Sequence, residues 1–130
     1  MAELLAIREG AKQWNAWRAT WSDEQPSLAG VDLARHQLVG ADLSYCSLRN
    51  ADLSRSNLSL CNLFGADLRG ANLTGATINR ADMRCCEMDE KTRLDKASLV
   101  GTSLVGCELE SVSAHGVQLL ETEGADMLMA

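Results

Sequence analysis

Cysteine and histidine are the side chains here that most readily do chemistry, as nucleophiles, bases or metal ligands. The 130-residue chain has five cysteines and two histidines. Cys85 and Cys86 are adjacent, a pairing that invites a soft metal ion held by thiolates. His36 lies far from His115, and His115 has no cysteine or carboxylate neighbour at ligand spacing. An odd number of cysteines with no paired spacing predicts free thiols in a reducing, cytoplasmic setting rather than a disulfide framework. No nucleophile falls beside a base and an orienting group, and no glycine loop has phosphate-binding spacing. These residues predict a protein that is not an enzyme and that holds no metal or cofactor.

What must position them is a repeat. Cut into fives, residues 40 to 75 read GADLS YCSLR NADLS RSNLS LCNLF GADLR GANLT G. Leucine or another large apolar residue returns at Leu28, Leu33, Leu38, Leu43, Leu48, Leu53, Leu58, Leu63, Leu68, Leu73, Ile78, Met83 and Met88. Two residues before each marker is a mostly small one, such as Ala41, Cys46, Ala51, Ser56, Cys61, Ala66 and Cys86, and a polar residue, often Asp or Asn, stands between. The frame slips by one residue in DEKTR, residues 89–93, then resumes at Leu94, Leu99, Leu104 and Leu109 and fades through Ala114 to Leu119.

A period of five fits neither a helix, whose faces repeat every 3.6 residues, nor a strand, whose faces repeat every two. It fits a solenoid that turns a corner about every five residues, with the marker and the small residue inside and successive coils stacked by parallel hydrogen bonds at about 4.8 Å. With aromatics at only 4% of the chain, the axis must be filled by Leu, Ala, Val, Met and Cys. Asp, Asn, Ser and Gly at the corners suit tight turns. GADLS, NADLS, GADLR and GANLT resemble the A(D/N)LXX motif of the pentapeptide repeat family. That resemblance implies an all-β solenoid, a right-handed four-sided parallel β-helix of about five coils, over residues 26–121.

The ends of a solenoid expose apolar core and unpaired edges and need caps. Residues 1–25 predict a helical cap: within 3–18, Leu4, Ile7, Ala11, Trp14 and Trp17 fall on one helix face, weakened slightly by Gly10. Trp14, Trp17 and Trp21 all precede the repeats and form an expected aromatic lid on the first coil. Residues 122–130 read as a tail or short cap, with Met127, Leu128 and Met129 as its apolar content.

Four sides of five residues stack positions twenty apart. Cys46, Ala66, Cys86 and, past the slip, Cys107 then share an inward column as small buried thiols, their parallel side chains disfavouring an inter-coil disulfide. Cys86 points in and Cys85 out, which separates them as metal ligands. His36 takes an inward position below Ser56 as a hydrogen-bonded core residue. The DEKTR slip, charged and out of frame, is expected to bulge outward.

Function is then expected on outward positions. One face carries Tyr45, Phe64, Arg84 and Val105, with Leu60 and Val100 on the neighbouring side, and aromatic residues beside arginine are favoured at protein interfaces. A second strip is acidic, with Asp67, Glu87 and Glu108 beside Asp89 and Glu110, and Arg49 and Arg69 continue it below. Two functions follow. The first is a scaffold or adaptor that presents a face to a protein partner. The second is implied by the resemblance, since some members of the family mimic DNA, bind DNA gyrase and dimerise end to end through the C-terminal end. Nearly five coils span roughly 23 Å, over which duplex DNA carries about thirteen charges, whereas the net charge here is −6. That acidic balance also argues against direct binding to nucleic acid or anionic membranes. No apolar run approaches the roughly 20 residues of a membrane span, and the N-terminus has no secretion-signal pattern.

Overall fold

The structure, a computed structural model, describes residues 2–20 and 25–125. Trp21 and the apolar residues Met127, Leu128 and Met129 lie outside these.

The repeat is built from turns. At most corners the N–H of the residue three past a marker donates to the marker's carbonyl, as Val31 does to Leu28 at 3.1 Å and Ala51 to Leu48 at 3.1 Å. The third residue of the turn has positive φ, as a type II turn requires. Glycine fills it at Gly30, Gly40, Gly65, Gly70 and Gly75, but Arg35, Tyr45, Asn50, Arg55 and Leu60 occupy it too, at φ between 57° and 63°. With two of every five residues in the turn, each side is too short for an extended strand. It pairs through a single parallel bridge to the coil above.

These bridges give the cross-section. Ser27 pairs with Ser47, Asp32 with Asp52, Gln37 with Asn57 and Asp42 with Asn62, all twenty residues apart, so the coil has four sides. Four columns result: Ser27–Ser47–Asp67–Glu87, Asp32–Asp52–Asn72–Arg93–Ser113, Gln37–Asn57–Thr77–Ser98–Gln118, and Asp42–Asn62–Asp82–Ser103–Glu123. Each bridging residue donates to the coil below and accepts from it, as Asn57 does with His36 and Leu38 at 2.9 Å each.

The axis is filled as the pattern requires. The markers from Leu28 to Ile78 are fully buried, as are Ala41, Cys46, Ala66 and Ala71. Burying each leucine contributes about 1.5–3 kcal/mol. Most small inward residues that carry a donor use it on the coil beneath, as Cys61 does to the Leu38 carbonyl at 3.0 Å, Thr92 to Leu68 at 2.9 Å and Thr122 to Leu99 at 2.7 Å, whereas Ser56 donates within its own turn to Leu53 at 2.6 Å. No buried side-chain nitrogen or oxygen among the described residues lacks a partner.

The slip changes the register from twenty to twenty-one residues, as in Asn72–Arg93 and Thr77–Ser98, before twenty returns at Arg93–Ser113. Asp89 organises it. Its Oδ1 accepts from Gly70 N–H and Lys91 N–H at 3.0 Å each, standing in for the backbone carbonyl that takes this bond at other corners. Glu90 and Lys91 project outward, whereas Thr92 turns fully into the core. In the Ser27 column no bridge joins Glu87 to Glu108 among the described residues.

Below the first coil lie two helices rather than the one expected over 3–18: α1 (Ala2–Arg8) and α2 (Ala11–Arg18). Gly10 separates them at φ 110°, a backbone state closed to most other residues, so it breaks the helix rather than merely weakening it. Ile7 and Trp14 are fully buried against the coil. Trp17 stacks on Trp14 with ring centroids 4.9 Å apart. α2 also pairs the open edge of the Asp42 side. Asn15 acts as a piece of strand, its Oδ1 accepting from Asp42 N–H at 2.8 Å and its Nδ2 donating to the Gly40 carbonyl at 3.0 Å. Trp14 Nε1 donates to the Asp42 carbonyl at 2.6 Å, and Arg18 to those of Asp42 and Ser44 at 3.0 and 2.6 Å.

Candidate functional site

The corner after the Asp42 column assembles the aromatic residues. Tyr45 sits at the left-handed turn position, φ 59°, and its ring lies across the next coil. That coil has Gly65 there, and a Cβ on Gly65 would come within 2.8 Å of two Tyr45 ring carbons. Phe64 meets Tyr45 edge to face with centroids 5.7 Å apart. The Arg84 guanidinium covers its other side, 5.2 Å from the ring centroid. Asp82 fixes that guanidinium with a fork of two bonds, 2.9 Å from Nε and 2.7 Å from Nη2. Its bonds to Arg84 hold the Asp82 carboxyl below the usual carboxylate range. Val105 continues the corner one coil up.

Of this cluster Tyr45 and Val105 are about half exposed, at 55% and 48%, while Phe64 is half-buried between its neighbours. The preceding corner is largely apolar, interrupted by Asn79 and Arg80. Leu60 is exposed and Val100 half-buried, and Val39 and Leu120, missed in the sequence, join them at the same corner. Their signal was present, since both fall at turn positions in the five-residue frame. The Asp42 side, with Asn62, Asp82 and Ser103 facing outward, is thus bordered by an apolar corner and an aromatic one.

The acidic strip is less open than its residue types imply. Asp67 is only 7% exposed. It accepts from Arg69 at 2.9 and 2.8 Å, and Arg49 approaches to 4.0 Å. These bonds, with Arg69 first, hold the Asp67 carboxyl low. Arg69 also reaches Glu87 at 3.3 Å. Above the pair, Asp89, Glu108 and Glu110 line a shallow recess of about 440 Å³ with Met88, Glu90 and Ser111.

The histidines are held locally. Half-buried His36 pairs through Nδ1 with the Ala34 carbonyl at 3.1 Å. His115, expected to have no carboxylate partner, meets Asp95 at 3.2 Å, because the register of twenty resumes beyond the slip and stacks the two corners. Ser113 joins them, 2.8 Å from Asp95 and 3.4 Å from His115 Nδ1. Serine and aspartate share one ring nitrogen, so imidazole does not stand between them as a proton relay would need. No group of three or more metal-ligating side chains gathers among the described residues. No helix among them is long and apolar enough to cross a membrane.

Fold and surface together define a four-sided parallel β-helical repeat protein. The family model for pentapeptide repeats matches eight copies over residues 27–59 and 61–90, and through them the chain belongs to the pentapeptide repeat family. Proteins of this family form right-handed quadrilateral β-helices. The chain is similar to a pentapeptide repeat protein from the thylakoid lumen of Arabidopsis thaliana, with 27% identity and a TM-score of 0.64 over 68% of this chain and 61% of that one. It is similar also to Rfr23 from the cyanobacterium Cyanothece 51142, with 30% identity and a TM-score of 0.55 over 79% of this chain and 64% of that one. A pentapeptide repeat protein from Nostoc Pcc 7120, at 24% identity and a TM-score of 0.56, covers 80% of this chain and 89% of its own length. The chain thus spans less than two thirds of the first two structures. No curated protein matches it.

Proposed function

We propose that this chain is a non-enzymatic scaffold: a rigid right-handed rod of about five coils, capped by helix at its N-terminal end, that presents its Asp42 side to a protein partner. One observation carries the proposal. Tyr45, Phe64 and Arg84 form a layered cluster, pre-ordered by Gly65 against the tyrosine ring and by Asp82 beside the arginine. Aromatic and arginine side chains already fixed in one rotamer lose little entropy on association, which is what makes such groups effective anchors. Five free thiols support a cytoplasmic setting. The proposal includes no direct contact with nucleic acid and no membrane insertion. It includes end-to-end pairing through the C-terminal coil, where Ser113, Gln118 and Glu123 are the last bridged residues of their columns among the described ones.

The alternative, mimicry of DNA toward gyrase, draws on the acidic strip, and the lower part of that strip is tied to Arg69 and Arg49.

The test is affinity capture with the wild type and with the Tyr45→Ala/Phe64→Ala double variant. Both side chains are outside the core, so the fold is retained, as circular dichroism would verify. A stoichiometric partner captured by the wild type and lost with the double variant supports the scaffold. Equal capture by both sinks this face. Capture of gyrase, abolished by reversing Glu87 and Glu108 to lysine, favours the mimic.

A further inference from the structure

Two thiols in neighbouring coils stand beside the gap in the Ser27 column. Cys86 and Cys107 follow one another in the inward column that begins with Cys46 and Ala66. They are attached in the same way, Cys86 donating to the Leu63 carbonyl at 2.9 Å and Cys107 to that of Met83 at 2.9 Å. Equivalent sites one coil apart put the two Cα atoms at about the strand spacing of 4.8 Å, inside the range of roughly 4.4–6.8 Å that a disulfide spans. The two thiols are close enough to influence each other's ionisation. Side chains that point the same way must still close by a fraction of the coil spacing, and between these two coils the bridge that would resist that closure is missing. Among the described residues no bridge joins the residues that follow them, Glu87 and Glu108, to each other, although Glu87 bridges Asp67 below.

Access is present too. A recess of about 340 Å³ lined by Arg69, Cys85, Cys86, Glu87, Gly106 and Glu108 reaches Cys86 from outside, and Cys107 is only half-buried. The other inward cysteines lack all of this. Cys46 stacks under Ala66, and Cys61 between Ala41 and Ala81, with both thiols pushed up to about 12 by burial.

We propose that Cys86 and Cys107 form an oxidisable dithiol, a modification site for peroxide-class oxidants that closes to a disulfide between coils. Cys107 is the nucleophile: it is the less buried of the two, and the neighbouring Cys86 thiol lowers its pKa, whereas Cys107 and burial raise that of Cys86. Its thiolate attacks one peroxide oxygen, the O–O bond breaks, and hydroxide leaves and is protonated to water. The resulting sulfenic acid is attacked by Cys86, which gives up its proton. The S–S bond forms as the S–O bond breaks, and a second water departs. Two thiols are oxidised by two electrons and one peroxide is reduced.

The test uses the reduced full chain treated with hydrogen peroxide, with the remaining thiols alkylated and the products read by mass spectrometry. The expected result is a loss of two hydrogens from the intact mass and a Cys86–Cys107 linked peptide that survives tryptic cleavage at Lys91, Arg93 and Lys96. Cys107→Ser should abolish both signals and Cys85→Ser leave both in place. Oxidation confined to exposed Cys85, a bond that includes Cys85, or continued alkylation of Cys86 and Cys107 after Cys85 has reacted would overturn the proposal.

Discussion

The ring of Tyr45 lies against Gly65 of the coil above, so close that a Cβ on Gly65 would come within 2.8 Å of two ring carbons. The aromatic corner therefore depends on a residue that is not itself aromatic. Tyr45 lies flat because the next coil offers no side chain there, and Phe64 then meets it edge to face.

Gly65→Ala should consequently act in two ways. At φ 69° the new Cβ enters a left-handed conformation, which costs about 1–2 kcal/mol. It also displaces the tyrosine ring. We expect a lower urea midpoint and a loss of partner binding comparable to that of Tyr45→Ala, measured by titration against the captured partner. Full binding by the alanine variant would show that the tyrosine's placement does not matter.

The helical cap makes a different prediction. Asn15 pairs with the backbone of Asp42 and Gly40 as another strand would. Asn15→Ala leaves that N–H and carbonyl without these partners, and we expect about 1–2 kcal/mol of destabilisation by denaturant unfolding. Lys12→Ala, in the same helix but with its side chain exposed, should fall within about 0.5 kcal/mol of the wild type.

The acidic residues bear on pH. Arg69 holds the Asp67 carboxyl low, and Arg84 does the same to Asp82. A carboxyl whose pKa is lower folded than unfolded stabilises the protein above its unfolded value, near 4, and that contribution is lost as pH falls toward the folded value. The urea midpoint should therefore drop once pH passes below about 4. Asp67→Asn should flatten part of that fall, and an unchanged slope would mean that the Arg69 pair contributes nothing to stability.

The fold was legible because its rule is local. Each marker, small residue and turn position follows from the same five-residue frame, and a register of twenty follows from four sides. What the sequence concealed lies where that frame is broken or supplemented. Gly10 looks like a mild defect in a helical stretch, yet its positive φ divides α1 from α2. Asn15 shows no sign in composition of pairing with a strand edge. Asp95 and His115 meet only because the register returns to twenty beyond the slip. Asp67 reads as an outward acid and is instead enclosed by arginines, since the residue two past a bridge position can fold its side chain back over it. Val39 and Leu120 were readable in the frame, and they joined Leu60 and Val100 only when all four were placed at one corner.

The most direct measurement of the central claim is photo-crosslinking from single positions on intact protein in its native lysate. A benzophenone amino acid placed at Val105, on the aromatic corner, would be compared with one at exposed Arg55 on the diagonally opposite corner. The expected result is one predominant covalent protein adduct from Val105 and none from Arg55. An adduct from Arg55 alone, or none from either position, would contradict the assignment of the Asp42 side as the surface that this protein presents.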